Sequence, residues 1–148
     1  YDDIDSFGDH IIRNNVIHGT YLTSKIYDTG IEISQNPGVK VLHNTIVTKS
    51  KYSSIDYRWP NTTSAVIRNN IVRRITRRNG AAASVDHNLI TSKESLFVSL
   101  PNINYRLKAS ATDAIDKGIN VGKAGGLDLD GKAHDKGLPD LGAYEYGK

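Results

Sequence analysis

The sequence predicts an all-β chain wound as a parallel β-helix, a solenoid of 148 residues in one domain. Three observations carry that prediction. One short pattern recurs four times: Ile12-Arg13-Asn14-Asn15-Val16-Ile17, Val41-Leu42-His43-Asn44-Thr45-Ile46, Ile67-Arg68-Asn69-Asn70-Ile71-Val72 and Val85-Asp86-His87-Asn88-Leu89-Ile90. The segments between the copies are short, β-branched and divided by Gly, Asn, Ser and Thr. No long run of apolar residues at helical spacing is present.

Each element follows from that frame. The ladder candidates Asn15, Asn44, Asn70 and Asn88 are 29, 26 and 18 residues apart, a period that suits coils whose loops differ in length. An inward amide at a turn can bond its counterparts above and below, so the column reads as an Asn ladder. A second column comprises Ile4 between Asp3 and Asp5, Gly30-Ile31-Glu32-Ile33, and Ser54-Ile55-Asp56-Tyr57. Alternation turns its apolar side chains inward and its acids outward. Two strands per coil are therefore expected over residues 1–98, with neighbouring coils about 4.8 Å apart. After Asn88 the pattern stops, and Ser99-Leu100-Pro101-Asn102 opens a tail rich in Gly and Asp. Residues 99–148 are expected to form a last coil and a cap over the open end.

Composition narrows function. No Cys is present, which removes disulfide scaffolds, Cys-type zinc sites and thiol nucleophiles. No apolar stretch approaches the roughly 20 residues of a membrane-spanning helix. A chain that begins at Tyr1 and contains no Met reads as processed or as a piece of a longer protein. Residues 1–35 hold two basic and six acidic side chains, residues 36–110 twelve and three, residues 111–148 five and seven. The basic middle attracts polyanions by long-range Coulomb steering.

The repeats, together with Ala114-Ile115-Asp116-Lys117-Gly118, Asp128-Leu129-Asp130-Gly131 and Asp140-Leu141-Gly142-Ala143-Tyr144-Glu145-Tyr146, resemble the C-terminal coils and cap of right-handed parallel β-helix proteins of the pectate-lyase-like superfamily. Ala111-Thr112-Asp113 and His134-Asp135 depart from that pattern, where Ser-Pro and Arg are usual. The resemblance implies a secreted or cell-surface carbohydrate-active protein, and an N-terminal portion of the same β-helix outside this chain. Members include polysaccharide lyases, glycoside hydrolases, uronate epimerases and non-catalytic sugar binders, and fold alone does not choose among them.

The acidic column Asp5, Glu32, Asp56 offers the sharpest chemistry. Glu32 and Asp56 should lie about 5 Å apart and would repel unless a cation or a proton intervenes. Calcium suits such oxygen ligands and would acidify the C5 proton of a uronate. The expected activity is accordingly metal-assisted β-elimination on an acidic polysaccharide. Arg58 serves as base or clamp, with Lys49 as an alternative base and His43 as an alternative proton shuttle. The same carboxylates permit hydrolysis at about 5 to 5.5 Å, but no Gly-His-Gly strand accompanies them, and hydrolysis ranks lower. A non-catalytic glycan binder, adhesin or structural stalk is the competing class. Arg73, Arg77 and Arg78, within Arg73-Arg74-Ile75-Thr76-Arg77-Arg78, are candidates for carboxylate or sulfate binding, and Trp59 for stacking on a sugar ring. Nucleic acid is not expected as a partner, since no aromatic residues interleave with these arginines and no groove-reading helix is evident. His43 and His87 occupy the slot held by Asn14 and Asn69 in the other repeats, which marks a shared structural position. In the tail, Asp128, Asp130, Asp135 and Asp140 read as turn residues bonded locally.

Overall fold

A computed structural model describes residues 10–19, 28–134 and 137–147. The chain is all-β, and among the described residues no helix is long and apolar enough to cross a membrane. Its strands are β1 (Ile11–Arg13), β2 (Val16–Gly19), β3 (Ile31–Ser34), β4 (Lys40–Leu42), β5 (Thr45–Thr48), β6 (Ile55–Arg58), β7 (Ala65–Arg68), β8 (Ile71–Val72), β9 (Ile75–Arg78), β10 (Ala83–Asp86) and β11 (Leu89–Ile90). The chain visits three parallel sheets in rotation: sheet A holds β1-β4-β7-β10, sheet B holds β2-β5-β8-β11 and sheet C holds β3-β6-β9. This order is compatible with a β-helix. The strand expected around Ile4 lies outside the described residues.

Three strands per circuit replace the two read from the sequence, because each repeat hexapeptide is a corner between two strands. At that corner Asn14, His43, Asn69 and His87 have φ of 56°, 52°, 59° and 50°. Asn and His tolerate this left-handed region better than other residues that carry a Cβ. The shared slot of the repeats is thus a backbone requirement.

The next residue supplies the ladder. Asn15 Nδ2 donates to Asn44 Oδ1 at 2.9 Å, Asn44 Nδ2 to Asn70 Oδ1 at 3.0 Å, and Asn70 Nδ2 to Asn88 Oδ1 at 2.8 Å. The same oxygens accept the backbone N–H of Asn15, Asn44 and Asn70 at 3.1, 2.8 and 3.0 Å. Asn70 Nδ2 also bonds the carbonyls of Val41 and Arg68. Each amide thereby partners polar backbone groups that the corner takes out of their own strands.

Inside the stack the register aligns like with like. Ile12, Val41, Ile67 and Val85 form one column, and Ile31, Ile55 and Ile75 another. Val41, Ile55 and Ile67 have no exposed surface, and with Ile33, Ile46, Tyr57 and Val72 they make the inner core. Burial of each such side chain stabilises the fold by about 1.5–3 kcal/mol at most.

A second core lies on the outside of sheet B. Its outward residues Val16, Val47, Ile71 and Leu89 are covered by Leu96, Phe97, Tyr105, Leu107, Ala114 and Leu141, partly through an antiparallel pair of β12 (Phe97–Ser99) and β13 (Asn104–Leu107). The tail then runs along the corner between sheets A and B. Asn14 Nδ2 donates to Gly125 O at 2.9 Å, the N–H of Ala143 to Thr45 Oγ1 at 3.0 Å, and the N–H of Gly142 to Asn69 O at 2.7 Å. Gly142 has φ of 87°, and a Cβ there would stand 2.5 Å from Thr45 Oγ1, so only glycine lets the tail come this close. The segment expected to cap the end of the stack instead straps its side across three successive circuits. In the last circuit Val85 remains 39% and Ile90 55% exposed.

Substitution of Asn70 by Ala should destabilise the chain by about 2–4 kcal/mol, because it strands buried groups of two circuits at once. Asn15→Ala, at the exposed end of the ladder, should cost about 1 kcal/mol. Equal midpoints for the two variants in urea denaturation would refute the ladder's cooperative role.

Candidate functional site

The outer face of sheet C gathers four of the residues singled out by sequence: Glu32, Asp56, Arg58 and Arg78. Its register pairs Glu32 with Asp56 and Thr76, and Ser34 with Arg58 and Arg78. Alternation points these residues outward, while Ile31, Ile33, Ile55 and Tyr57 face the core. Asp5, the third acid of the column, lies outside the described residues.

Glu32 and Asp56 are neighbours across adjacent strands, as their spacing predicts, and the cation between them is Arg58. Its Nη2 lies 2.9 Å from Glu32 Oε2 and 2.9 Å from Asp56 Oδ2. Arg78 Nε approaches Asp56 Oδ2 at 2.8 Å from the next circuit. The Asp56 side chain is fully buried, so two guanidinium groups balance a carboxylate that has lost its water. The hydrogen bond to Asp56 raises the Arg58 pKa above its ordinary range, against the opposing effect of burial. A guanidinium held this firmly in its charged form is a poor base.

Calcium takes about 6 to 8 oxygen ligands, and this donor set does not fit it. Both oxygens of Asp56 are engaged by arginine. Among the described residues no group of three or more His, Asp or Glu is arranged to hold a metal ion.

The remaining candidates are dispersed. Lys49 pairs with Glu94 at 3.1 Å, beside a groove of about 250 Å³ that His18 and Leu100 also line, on the side of sheet B. The basic run splits three ways. Arg73 donates through Nη1 to Lys49 O at the corner before β9. Arg77 falls in the inward column, over Tyr57 and Ile33, and is exposed only because β9 is the last strand of its sheet. Arg78 alone joins the outer face. Trp59 lies at the end of β6, 42% exposed, its N–H donating to Arg78 O at 3.3 Å.

His43 is fully buried beneath the tail. Asn69 Nδ2 lies 2.9 Å from its Nε2, and the His134 ring stacks on it with centroids 3.8 Å apart. His134 bonds Glu145 Oε1 at 2.7 Å and Asn14 Oδ1 at 3.0 Å. Burial, then the neighbouring His134, lowers the His43 pKa from 6.5 to about 3. This imidazole is a neutral packing element with no path to a substrate. Sequence reading missed His134 and Glu145 as its companions, and also the hydrogen bond between Tyr105 Oη and His18 Nδ1. None of these residues belongs to a repeat.

No family model, curated protein or solved structure matches the chain.

Because folded His43 stays neutral where the unfolded chain binds a proton, stability is complete above pH 6.5 and declines as pH falls toward 3. Between pH 7 and pH 5 its share of the loss is about 2 kcal/mol. Denaturant melts of wild type and His43→Asn, which places in this slot the residue that Asn14 and Asn69 already supply, should differ by that amount in their pH dependence. Identical pH profiles would show that His43 titrates freely.

Proposed function

We propose that this chain is part of a right-handed parallel β-helix, secreted or displayed at a cell surface, that binds acidic polysaccharide along the outer face of sheet C without cleaving it. The observation that carries this reading is Trp59, 42% exposed at the end of β6, whose backbone N–H bonds the carbonyl of Arg78, a residue with guanidinium donors to spare. Arg78 spends its Nε on Asp56, and among the described residues no partner takes its Nη groups. A sugar ring on the indole would bring a uronate carboxylate to that edge, the planar geometry in which Arg recognises carboxylates. The basic surplus of residues 36–110 supports attraction of a polyanion. Parallel sheets also give an extended polymer a long face to lie against. Elimination, the activity expected from the sequence, draws less support, since Arg58 is engaged by Glu32 and Asp56.

Trp59 is the sole tryptophan, so its emission reports on this face alone. Titration with alginate and polygalacturonate oligomers should give a saturable emission change. Calorimetry should show binding about tenfold weaker for Arg78→Glu and for Trp59→Ala. Absence of binding to either polymer would overturn the reading. A rise in unsaturated uronate absorbance would restore elimination.

A further inference from the structure

Where the tail straps the corner between sheets A and B, two buried imidazoles lie face to face, and their hydrogen bonds fix how many protons the pair carries. Asn69 is oriented by the tail, since its Nδ2 donates to Ile119 O at 2.7 Å and its Oδ1 accepts the N–H of Ile119 at 3.0 Å. The other hydrogen of that Nδ2 goes to His43 Nε2 at 2.9 Å, so Nε2 accepts. His43 is therefore neutral, with its proton on Nδ1. A second proton, on Nε2, would set donor against donor.

His134 has the opposite pattern. Its Nδ1 lies 2.7 Å from Glu145 Oε1 and its Nε2 3.0 Å from Asn14 Oδ1. Asn14 is oriented in turn by donating Nδ2 to the carbonyls of Gly125 and Leu127. Both nitrogens of His134 thus meet acceptors, the arrangement that an imidazolium fills, and Glu145 supplies the balancing charge. The two rings stack with centroids 3.8 Å apart and are almost wholly shielded from water. A second cation there would face the first at contact distance.

The surrounding charges leave little to offset it. Linked to Glu145 are Asp140, whose oxygens accept the N–H groups of Asp116 and Tyr146, and Asp128, whose oxygens accept those of Asp130, Lys132 and Glu145. Lys132 Nζ reaches Glu145 O at 3.4 Å, and Arg13 spends Nη1 on the carbonyls of Lys123 and Ala124. On the stack side the groups that bond the pair are the amides of Asn14 and Asn69.

The same groups hold the strap. Asn69 takes Ile119 through its side chain and the N–H of Gly142 through its carbonyl, and Thr45 takes Ala143. The asparagine ladder beneath runs from circuit to circuit, and its amide-to-amide bonds use no tail residue. We propose that the pair of His43 and His134 is an acid-opened latch: a second proton breaks the bond between Asn69 and His43, and the strap lets go at Ile119, Gly142 and Ala143 while the stack beneath stays folded. The latch uses no residue of the polysaccharide face and stands apart from that reading.

Burial and then His134 hold His43 at a pKa of about 3, against 6.5 where water reaches it. The closed strap is therefore fully favoured above pH 6.5 and loses ground as pH falls toward 3, and its opening constant should rise about 25-fold from pH 7 to pH 5. Histidine ¹⁵N spectra at pH 7 should show His43 neutral with a bare Nε2 and His134 doubly protonated. Amide hydrogen exchange, corrected for the intrinsic effect of pH, should show that 25-fold loss of protection at Ile119, Gly142 and Ala143. At pH 5 the amides of Ile31 and Val66, bonded across circuits in sheets C and A, should stay at least about tenfold better protected. In His43→Asn the response of the three strap amides should shrink below about fivefold. A charged His43 at pH 7, strap protection unchanged between the two pH values, or equal protection of strap and stack at pH 5 would overturn the proposal. So would a response of wild-type size in His43→Asn. Circular dichroism checks that this variant folds; should it fail, the spectra and the wild-type exchange decide.

Discussion

A chain that turns a sharp corner inside a packed stack must find partners for the peptide groups it pulls out of the strands, and here the side-chain amides of Asn15, Asn44, Asn70 and Asn88 provide them. Each buried group left unmatched would cost about 1–3 kcal/mol. One amide reaches the carbonyl of its own circuit, the carbonyl of the circuit before and the oxygen of the next asparagine. Sheets A and B are thereby locked in common register, and the inward columns of Val and Ile follow from that register. The tail depends on it too, since it docks against the left-handed residues that precede the ladder asparagines.

On sheet C the repeated geometry works on charge. Stacking places the two acids on adjacent strands, and the sequence meets their repulsion with arginines set two residues on and one circuit on. The result is a column of alternating charge whose most buried member, Asp56, is also the most fully paired. Chemistry that needs a free carboxylate or a free base finds neither at Asp56 and Arg58. The proposed recognition needs only the remaining donors of Arg78 and the exposed Trp59.

How far the fold was legible depended on whether a feature repeats. The asparagine column, the paired carboxylates and the parallel stacking recur, and each was read at its true register. The third strand of each circuit was hidden because the corner falls inside the repeat, between residues that all favour extended backbone. The strapping tail left a subtler signal. Strands of sheet B carry apolar neighbours in succession, as in Val16-Ile17, Ile46-Val47, Ile71-Val72 and Leu89-Ile90, the mark of a sheet covered on both faces. Sheet C alternates and is covered on one. His43 could not be placed from sequence, since its burial is imposed by His134, 91 residues further along, and no periodicity links the two.

The direction of the amide chain has an electrical consequence. Asn15, Asn44 and Asn70 donate toward the following circuit, and Asn44, Asn70 and Asn88 accept from the preceding one, so the side-chain dipoles align and polarise one another instead of cancelling. Like the peptide dipoles of a helix, they sum along one axis. The positive pole of that sum emerges at Asn88, on the same terminal circuit as Arg74 and Arg77, which gives the rod a polarity fixed by its backbone architecture as well as by its surface charges.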